Sequence, residues 1–465
     1  MDAIRYVKTV GTYLFKDRDD NQHSSGKVSL LLGARLHVDL SQNIAGRVPA
    51  ETMLSAKGKK HEGFVDLDKL SEKQQLKVFF MDVGQGDATL IEAEGAIVII
   101  DGGPNKGFHT KLVERFKNLV RAEEQFGLVP KEQLFINAII ISHFDLDHYY
   151  GLVKLLKDKR FKVGCIYHNG LPRFSDFDLK FLNLGDKKFW PDLGNGITTE
   201  LRDLDSARRL LNQGYFRTSS GNENKFAKLL NAMLQAHNDG RLQKISILNR
   251  RDPHKPVKIL PNTGDLRFEI LAPLTMKTKG PLHLPTFPNP HTASSTAQFP
   301  APSESHTING NSIVLRLIYK QASFLFGGDL NQPAQKFLEQ RYSNLNAFKS
   351  AVNKACHHGS SDFHLNYLRA VSPDATVFSS GDNGSYDHPL PDAMGAAAKH
   401  SQGDYPLVFS TELARETSSK KGIKYGNINA RSNGQETVLA QKKEKPSLNQ
   451  WHSFKIPYQG PFYQH

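Results

Sequence analysis

The order of apolar and polar residues along the chain predicts a layered α/β protein with a separate β-rich beginning. Between about residues 28 and 75, short alternating runs such as KVSLLLGARLHVDL predict strands. From residue 76, LKVFFMDVGQGDATLIEAEGAIVIIDGG predicts three strands separated by glycine-containing turns, and FHTKLVERFKNLVRAEEQFG predicts a helix with one apolar face. Because strands and helices alternate beyond this point, we expect helices packed on β-sheets.

The same pattern divides the chain into three units. Residues 1–75 are predicted to form an N-terminal β-rich accessory domain, whose closing GKKHEGFVDLDKL resembles the end of a small SH3-like barrel. Residues 76–435 are predicted to form the main domain, interrupted by an insertion at about 170–308. Residues 436–465 are predicted to be a C-terminal tail that packs on the core.

Three segments of the looser regions have patterns of their own. Within the insertion, NKFAKLLNAMLQAHNDG predicts a helix and LRFEILAP predicts a strand. The stretch at 280–307 is rich in Pro, Ser, Thr and His and predicts a long loop or lid. Near the end, GNINARSNGQETVLAQ predicts a hairpin that turns at SNGQ.

The composition is that of an ordinary globular protein, with 38% hydrophobic and 23% charged residues. Two cysteines, Cys165 and Cys356, cannot form a disulfide framework, and no apolar run approaches the roughly 20 residues of a membrane-spanning helix. We therefore expect a cytoplasmic protein with no membrane partner. The formal net charge of +13 favours a polyanionic partner, since Lys and Arg neutralise phosphates; a solvated basic surface is the alternative.

Acidic residues and histidines gather where apolar runs end in glycine-rich turns. In α/β sheets, the loops at the carboxyl ends of strands converge on one crevice. Buried carboxylates in such a crevice need a counter-charge, which a divalent cation provides. The residues concerned are Asp82, Asp87, Asp101, His143, Asp145, Asp147, His148, Asp329, His357, His358 and His388.

The segment SHFDLDHYYG holds four of these residues within six positions. In an extended stretch, residues i and i+2 share a face, so His143 and Asp145 can bind one ion. A tight turn then lets Asp147 and His148 fold back and bind a second ion close by. The spacing therefore predicts two neighbouring metal sites.

Three downstream residues can complete this pair of sites. Asp329 has two carboxylate oxygens and can bridge both ions, while one of His357 and His358 closes the second site. Two such ions lower the pKa of bound water from about 15.7 towards 7, which makes hydroxide available at neutral pH.

Each residue taken alone also has an ordinary structural alternative. A single histidine at such a position is more often a hydrogen-bonded core or loop residue than a ligand. Asp101, before two glycines, can cap a turn, and Asp82 and Asp87 can support the strand–loop structure through hydrogen bonds. The clustering in HFDLDH is what favours metal binding.

These motifs resemble those of a known family. HFDLDH resembles the H-x-[HD]-x-D-H signature of the metallo-β-lactamase fold. DVGQGDATLI, IIDGG, SHFDLDHYYGL, FGGDL, CHHGSSD and SSGDNGSYDHP, in order from about residue 77 to 430, together resemble the hydrolase domain of ComEC-type DNA-uptake proteins. The resemblance implies an αββα sandwich with a dinuclear metal site at the sheet edges. It also implies metal ligands at His143, Asp145, Asp147, His148, Asp329 and the His357/His358 pair, with Asp101 in a supporting position.

Two departures from the family pattern affect the expected metals. Asp145 stands where the commoner family form has His, and an oxygen ligand makes Mn²⁺ or Mg²⁺ as plausible as Zn²⁺. The family usually supplies a further His to the first ion, for which His168 in CIYHNG is a candidate. The expected cofactors are two divalent ions, Zn²⁺ or Mn²⁺ with Mg²⁺ as a further alternative, although a single ion stays open. Because the ComEC-type membrane helices are absent from the sequence, the resemblance does not imply DNA transport.

The resemblance leaves several reactions open, since one fold serves many chemistries. We favour phosphodiester hydrolysis of DNA, RNA or nucleotides, because of the ComEC-like motifs, the basic charge and the carboxylate-rich ligand set. The predicted catalytic residues are Asp147 and His388, with His388 or the unbound member of the histidine pair protonating the leaving oxygen. Ser360 and Ser361 either bind the phosphate or cap a turn.

Other functions stay open at this stage. A metallohydrolase of a phosphocholine ester, cyclic nucleotide or carboxylic ester predicts a closed pocket, whereas a nuclease predicts a basic groove with aromatic side chains. A binding module with a residual metal site is the non-enzymatic alternative, with a partner protein at the N-terminal domain or the insertion. The architecture also suggests, as a hypothesis, a bacterial effector in phage defence.

Overall fold

The structure, a computed structural model, describes most of the chain. The described residues are 2–19, 27–53, 60–125, 127, 132–172, 188–190, 194–214, 216–218, 220–253, 257–275, 282–290, 301–381, 386–403, 405–413, 423–424, 426–442 and 451–457. The central part of the loop expected at 280–307 therefore lies outside the described residues, as does the end of the expected tail.

The described residues up to Ser71 form a strand-rich region with its own apolar core. Its strands are β1 (Asp2–Val7), β2 (Thr12–Leu14), β3 (Val28–Leu30), β4 (Arg35–Asp39), β5 (Arg47–Met53), β6 (Lys60–Asp66) and β7 (Leu70–Ser71). Five of them make a sheet in the order β6-β5-β4-β1-β7, and β2 pairs with β3. Alternate residues of β4 are buried, including Leu36 and Val38, as the period of two requires.

The remaining strands build mainly two large sheets. They are β8 (Leu76–Phe80), β9 (Thr89–Ala93), β10 (Ala96–Ile100), β11 (Leu134–Ile140), β12 (Phe161–His168), β13 (Lys188–Trp190), β14 (Gly194–Thr198), β15 (Leu242–Ile247), β16 (Val257–Thr263), β17 (Leu266–Ala272), β18 (His283–Pro285), β19 (Val314–Tyr319), β20 (Ala322–Phe326), β21 (Val352–Lys354), β22 (Ala375–Phe378), β23 (Leu407–Ser410), β24 (Glu412–Leu413), β25 (Ile423–Lys424), β26 (Ile428–Ser432), β27 (Glu436–Lys442) and β28 (Trp451–Pro457). The first sheet has the order β15-β12-β11-β10-β9-β8-β26-β27-β28, and the second has the order β16-β17-β19-β20-β21-β22-β23.

Eight α-helices accompany these strands in the described part of the chain. They are α1 (Gly107–Gln125), α2 (Leu146–Lys157), α3 (Leu204–Asn212), α4 (Lys225–Asn238), α5 (Glu304–Gly310), α6 (Gln332–Arg341), α7 (Leu365–Val371) and α8 (Pro391–Lys399). Short 3₁₀ turns occur at Leu40–Gln42, Leu67–Lys69, Leu345–Phe348 and Cys356–Gly359. None of the described helices is long and apolar enough to cross a membrane.

The two large sheets pack face to face with helices on both outer faces. Phe80 of the first sheet stacks on Phe326 of the second, with ring centroids 6.0 Å apart, inside one continuous apolar core. A second core lies between the first sheet and α1, α2, α3 and α4, and a third lies between the second sheet and helices α6 and α7. The expected αββα sandwich with a strand-rich N-terminal region is therefore confirmed.

The region expected to be an insertion contributes to both large sheets. β15 pairs in parallel with β12 at one edge of the first sheet, and β16 and β17 form one edge of the second. The rest includes the small sheet β13-β14-β18 and the predicted helix, which is α4. Some of the strands in the expected insertion thus pair with strands of the main domain, and the boundaries at 170–308 stay a prediction.

The end of the described chain belongs to the first sheet. β26 and β27 form the predicted hairpin, and β28 pairs with β27. The described residues from 436 onwards are strands of this sheet, and the expected C-terminal unit at 436–465 stays a prediction. β28 is largely exposed, so its sequence lacks the apolar run that marks a buried strand.

Candidate metal centre

The candidate residues meet because the strands that precede them end at the same edge of the sandwich. β10 and β11 are parallel neighbours and deliver Asp101 and the HFDLDH motif. β20 and β21 are parallel neighbours in the other sheet and deliver Asp329 and the histidine pair. In the motif, helix α2 begins directly after Asp145, so Asp147 lies in its first turn, where the helix dipole favours a carboxylate.

Four side chains form the centre of the cluster. Single ligand atoms from Asp147, His148, Asp329 and His358 all lie within 4.8 Å of one another. His358 Nε2 is 3.2 Å from Asp147 Oδ2 and 3.3 Å from Asp329 Oδ2, while His148 Nε2 is 3.2 Å from Asp329 Oδ1. Ligand atoms about 2.0–2.2 Å from one tetrahedral ion would be about 3.3–3.6 Å apart. These residues therefore fit a divalent cation.

A second group of possible ligands also lies near Asp329. His143 Nε2 is 3.8 Å from Asp145 Oδ2 and 3.9 Å from Asp329 Oδ2. His357 Nε2 is also 3.9 Å from Asp329 Oδ2. Asp329 therefore contacts both groups, with Oδ1 near His148 and Oδ2 near His143, His357 and His358.

The imidazole of His148 is oriented by Asp101. His148 Nδ1 lies 2.9 Å from Asp101 Oδ2, and the same carboxylate accepts hydrogen bonds from the backbone N–H and the hydroxyl of Ser142, both at 2.7 Å. Burial raises the pKa of Asp101, although His148 acts in the opposite direction. A histidine that donates through Nδ1 to a carboxylate directs the lone pair of Nε2 towards a metal.

Two other histidines of the cluster, His358 and His143, are also oriented through hydrogen bonds at Nδ1. His358 Nδ1 donates to the carbonyl oxygen of Ser379 at 2.9 Å, and His143 Nδ1 lies 3.1 Å from the Ser142 hydroxyl and 3.3 Å from the Ser312 hydroxyl. The Nε2 atoms of His143, His148 and His358 are buried and have no hydrogen-bond partner among the described residues. Buried polar atoms without partners are rare, so three of them around Asp329 indicate bound cations.

Electrostatics at the cluster also favour a cation. Burial disfavours the charged forms of His148 and His358, but nearby carboxylates outweigh burial and raise the pKa of both imidazoles well above the usual value. Burial likewise opposes the charge of Asp329, yet the same histidines hold its pKa well below the usual value. Asp147 and Asp329 are the carboxylates grouped with these imidazoles, and a divalent ion would neutralise their negative charge.

Asp87 supports the cluster through an ion pair that the sequence did not reveal. Its Oδ2 contacts Nζ of Lys354, and both side chains are buried. Its Oδ1 lies 3.4 Å from His358 Nδ1, and its Oδ2 lies 3.8 Å from His148 Nδ1. The carboxylate therefore stands behind two central histidines, and Lys354 supplies its counter-charge.

The backbone of the histidine pair adopts a conformation that side chains rarely tolerate. His357 and His358 have φ values of 50° and 56°, in the left-handed region. Such strain costs about 1–3 kcal/mol per residue and persists where the surroundings enforce it. The strained turn aims both imidazoles at Asp329, which identifies His358 as the better-placed ligand and leaves His357 beside the second group.

His388 lies against the histidine pair. Its ring is 6.3 Å from that of His358, at 23°, and 5.9 Å from that of His357, at 71°. His388 Nδ1 lies 3.2 Å from the side-chain nitrogen of Gln85. The structure therefore brings this predicted residue to the site, next to a glutamine that sequence reasoning missed.

Four other predicted residues lie in different surroundings. Asp82 accepts a hydrogen bond from Gly84 N at 3.4 Å within its own turn. Ser360 accepts from Asp362 N at 3.2 Å, and Ser361 is exposed in the same turn. His168 Nδ1 accepts from the backbone N–H of Gly170, and its ring packs on Phe144. These contacts are structural, so a role for His168 as a ligand stays a prediction.

Lys354, Ser142, Ser312 and Gln85 are the supporting residues that sequence reasoning missed. Lys354 could have been noticed, because a lysine within the short buried strand VNK needs a partner of opposite charge. Ser142 directly precedes the HFDLDH motif, but its two hydrogen bonds to Asp101 depend on the pairing of β10 with β11.

A family comparison agrees with this geometry. A model of the metallo-beta-lactamase superfamily matches residues 81–212, which include the first Gly-rich turns and the HFDLDH motif. Residues 81–212 therefore match a metallo-β-lactamase model, which agrees with the αββα fold and with the position of the side-chain cluster.

The chain also resembles individual proteins. It is 39% identical over 95 residues to the competence protein ComA of Neisseria gonorrhoeae, a match that covers 20% of this chain and 14% of ComA. This supports the ComEC-like resemblance, although the chain matches only about a seventh of that relative's length. Among solved structures, the metallo-beta-lactamase fold protein YhfI from Bacillus subtilis is 10% identical, with a TM-score of 0.33 over 73% of this chain and 98% of YhfI. A metallo hydrolase from Ignicoccus hospitalis is 12% identical, with a TM-score of 0.29 over 73% of this chain and 97% of its own.

Proposed function

We propose that this protein is a metal-dependent phosphodiesterase that acts on nucleic acid or nucleotides. The observation that carries the proposal is the oxygen-rich ligand set, Asp145, Asp147 and Asp329, with His388 beside it. Hard oxygen ligands suit Mn²⁺ and Mg²⁺, the ions most often used with phosphate substrates, and histidines keep Zn²⁺ open. The similarity to part of a competence protein and the net charge of +13 give additional support.

The ligand side chains divide between two ions. Asp147, His148, Asp329 and His358 would hold one ion, while His143 and Asp145 would hold the other, with Asp329 shared. When bound, the ions supply Lewis-acid activation of water and stabilise the charge that develops on phosphoryl oxygens. Asp101 and Asp87 hold the imidazoles in the orientation that this requires.

His388 is the candidate proton donor to the leaving oxygen. The backbone N–H of Gly381 donates to Gln85 Oε1 at 3.4 Å, which turns the amide nitrogen of Gln85 towards His388 Nδ1. Nδ1 then accepts a hydrogen bond, so the neutral imidazole carries its proton on Nε2. Burial lowers the pKa of His388 to about 4, so a full proton transfer requires the imidazolium form, whereas the neutral ring donates a hydrogen bond from Nε2–H to the departing oxygen and stabilises its charge.

The test is an assay of metal-stripped protein that is supplied again with Mn²⁺, Mg²⁺ or Zn²⁺. The substrates are single- and double-stranded DNA, RNA and bis-p-nitrophenyl phosphate. We expect metal-dependent cleavage that falls at least about 100-fold in Asp147→Ala, because that variant loses a charged ligand. The matched control is Asp205→Ala, which removes a largely exposed aspartate on α3 and should leave activity unchanged.

Three results would count against the proposal in different ways. Full activity in Asp147→Ala would exclude the proposed centre. Hydrolysis of bis-p-nitrophenyl phosphate without cleavage of DNA or RNA would exclude nucleic acid as the substrate and keep the phosphodiesterase activity. Hydrolysis of carboxylic esters alone would overturn the assignment to phosphodiesters.

A further inference from the structure

An exposed tyrosine continues a stack of rings that begins at the metal cluster. Tyr386 is 65% exposed, although it lies only two residues before the buried His388. Its ring is 5.6 Å from that of His388, with an interplanar angle of 21°. The His388 ring is in turn nearly parallel to that of His358, which is the central ligand. The three rings therefore run in order from the ligand cluster to solvent.

The face of Tyr386 that points away from His388 has room for a further flat group. The His388 ring lies beside the Tyr386 ring at a small interplanar angle, and the residue is nevertheless 65% exposed, so much of its surface remains in solvent. Large aromatic side chains normally bury most of their surface, so an exposed ring at the edge of a candidate site suggests a ligand.

The residues that follow Tyr386 contact the rest of the site. His388 is buried and contacts Gln85. Asp387, which separates Tyr386 from His388 in the sequence, has a φ of 52°, in the left-handed region. Leu390 N donates to the carbonyl oxygen of Gly359, which directly follows the histidine pair. These contacts hold the residues that follow Tyr386 next to the ligands, and the Tyr386 ring lies against that of His388. A stacking surface positioned in this way loses little conformational entropy on binding.

On these grounds we propose that the open face of Tyr386 stacks on a nucleobase next to the scissile phosphate. The inference rests on the proposed phosphodiesterase function and specifies its substrate as a diester that carries an unpaired base. Stacking on an aromatic side chain tolerates every base, because each base has a π-face, so this contact selects nucleotides and single strands without selecting sequence.

The test compares two diesters that differ only in their bases. One is the dinucleotide thymidylyl-thymidine, and the other has the same phosphate with a tetrahydrofuran in place of each nucleoside. For Tyr386→Ala, we expect the KM of the dinucleotide to rise roughly 10-fold with kcat nearly constant, since base stacking contributes to binding. The ratio of kcat/KM between the two substrates should fall by the same factor, and Tyr386→Phe should keep the wild-type ratio.

The control variant is Tyr405→Ala, which removes another exposed tyrosine, just before β23, and should leave the ratio unchanged. The stacking proposal is overturned if Tyr386→Ala lowers kcat/KM by the same factor for both diesters, or if it leaves kcat/KM unchanged for both. Either result leaves the proposed phosphodiesterase function intact. If the wild-type protein cleaves neither diester nor any nucleic acid, the proposed function itself fails, and the stacking proposal fails with it.

Discussion

Removing the charge of Lys354 should destabilise the protein and weaken its metal centre at the same time. Nζ of Lys354 contacts Asp87 Oδ2, and the two side chains are only 4% and 7% exposed. In Lys354→Met, the Asp87 carboxylate stays buried without its counter-charge. The same carboxylate lies 3.4 Å from His358 Nδ1, so its position also affects a central ligand.

The expected magnitude follows from the burial of the pair. Removing one partner of a buried ion pair costs about 3–5 kcal/mol. Because the nearby histidines can partly neutralise Asp87, we expect Lys354→Met to lower the free energy of unfolding by about 3 kcal/mol, near the lower end of this range. In the double variant with Asp87→Asn neither charge remains, and the two effects should be non-additive by about 1–3 kcal/mol. Metal affinity should fall about 10–100-fold in either single variant, as expected when an orienting partner of a ligand is lost.

The assay is urea unfolding of the metal-free protein at one fixed pH, for the wild type, both single variants and the double variant. Metal affinity is measured by calorimetric titration with Mn²⁺ and Zn²⁺. Lys336→Met is the matched control, because Lys336 is exposed on α6 and its substitution should change the stability by less than about 0.5 kcal/mol. Strictly additive costs, or a Lys354→Met protein as stable as the wild type, would refute the ion pair.

Two further substitutions test the surroundings of the site and the electrostatics of the sheet. Gly86 has a φ of 138°, and in Gly86→Ala the added Cβ would collide with the carbonyl oxygen of Asp147. We expect the free energy of unfolding to fall by about 1–3 kcal/mol and less metal to bind. An unchanged melting temperature would contradict this. Burial opposes the charge of Glu92, but its 2.5 Å ion pair with Arg115 outweighs burial and lowers the pKa of Glu92 from 4.5 to about 2. The pair therefore stabilises the protein above about pH 4.5, and this contribution is lost as the pH falls through about 2. In Glu92→Gln this part of the acid sensitivity of unfolding should be absent; a Glu92→Gln protein with the wild-type pH profile would refute the assignment.

The residues that meet in the cluster could be brought together from the sequence because their signals are local. HFDLDH follows an apolar strand and precedes a helix, so its four polar residues must lie at the end of a sheet strand. Asp329 and the histidine pair follow apolar strands in the same way, and parallel pairing brings the strand ends together.

Features that depend on contacts between distant segments could not be predicted. Asp87 and Lys354 are 267 positions apart, and neither has a pattern that identifies the other. The choice between His357 and His358 depends on a strained turn that only the folded backbone shows. The sheet strands at Leu242–Ile247 and Trp451–Pro457 lie at edges, where partial exposure removes the apolar signal.

The most direct test of the central claim is to locate bound ions in crystals of the protein grown with Mn²⁺, by anomalous scattering. We expect one ion among Asp147, His148, Asp329 and His358, and a second between Asp329 and His143. Anomalous peaks located elsewhere, with the three Nε2 atoms of His143, His148 and His358 facing no ion, would contradict the proposed centre.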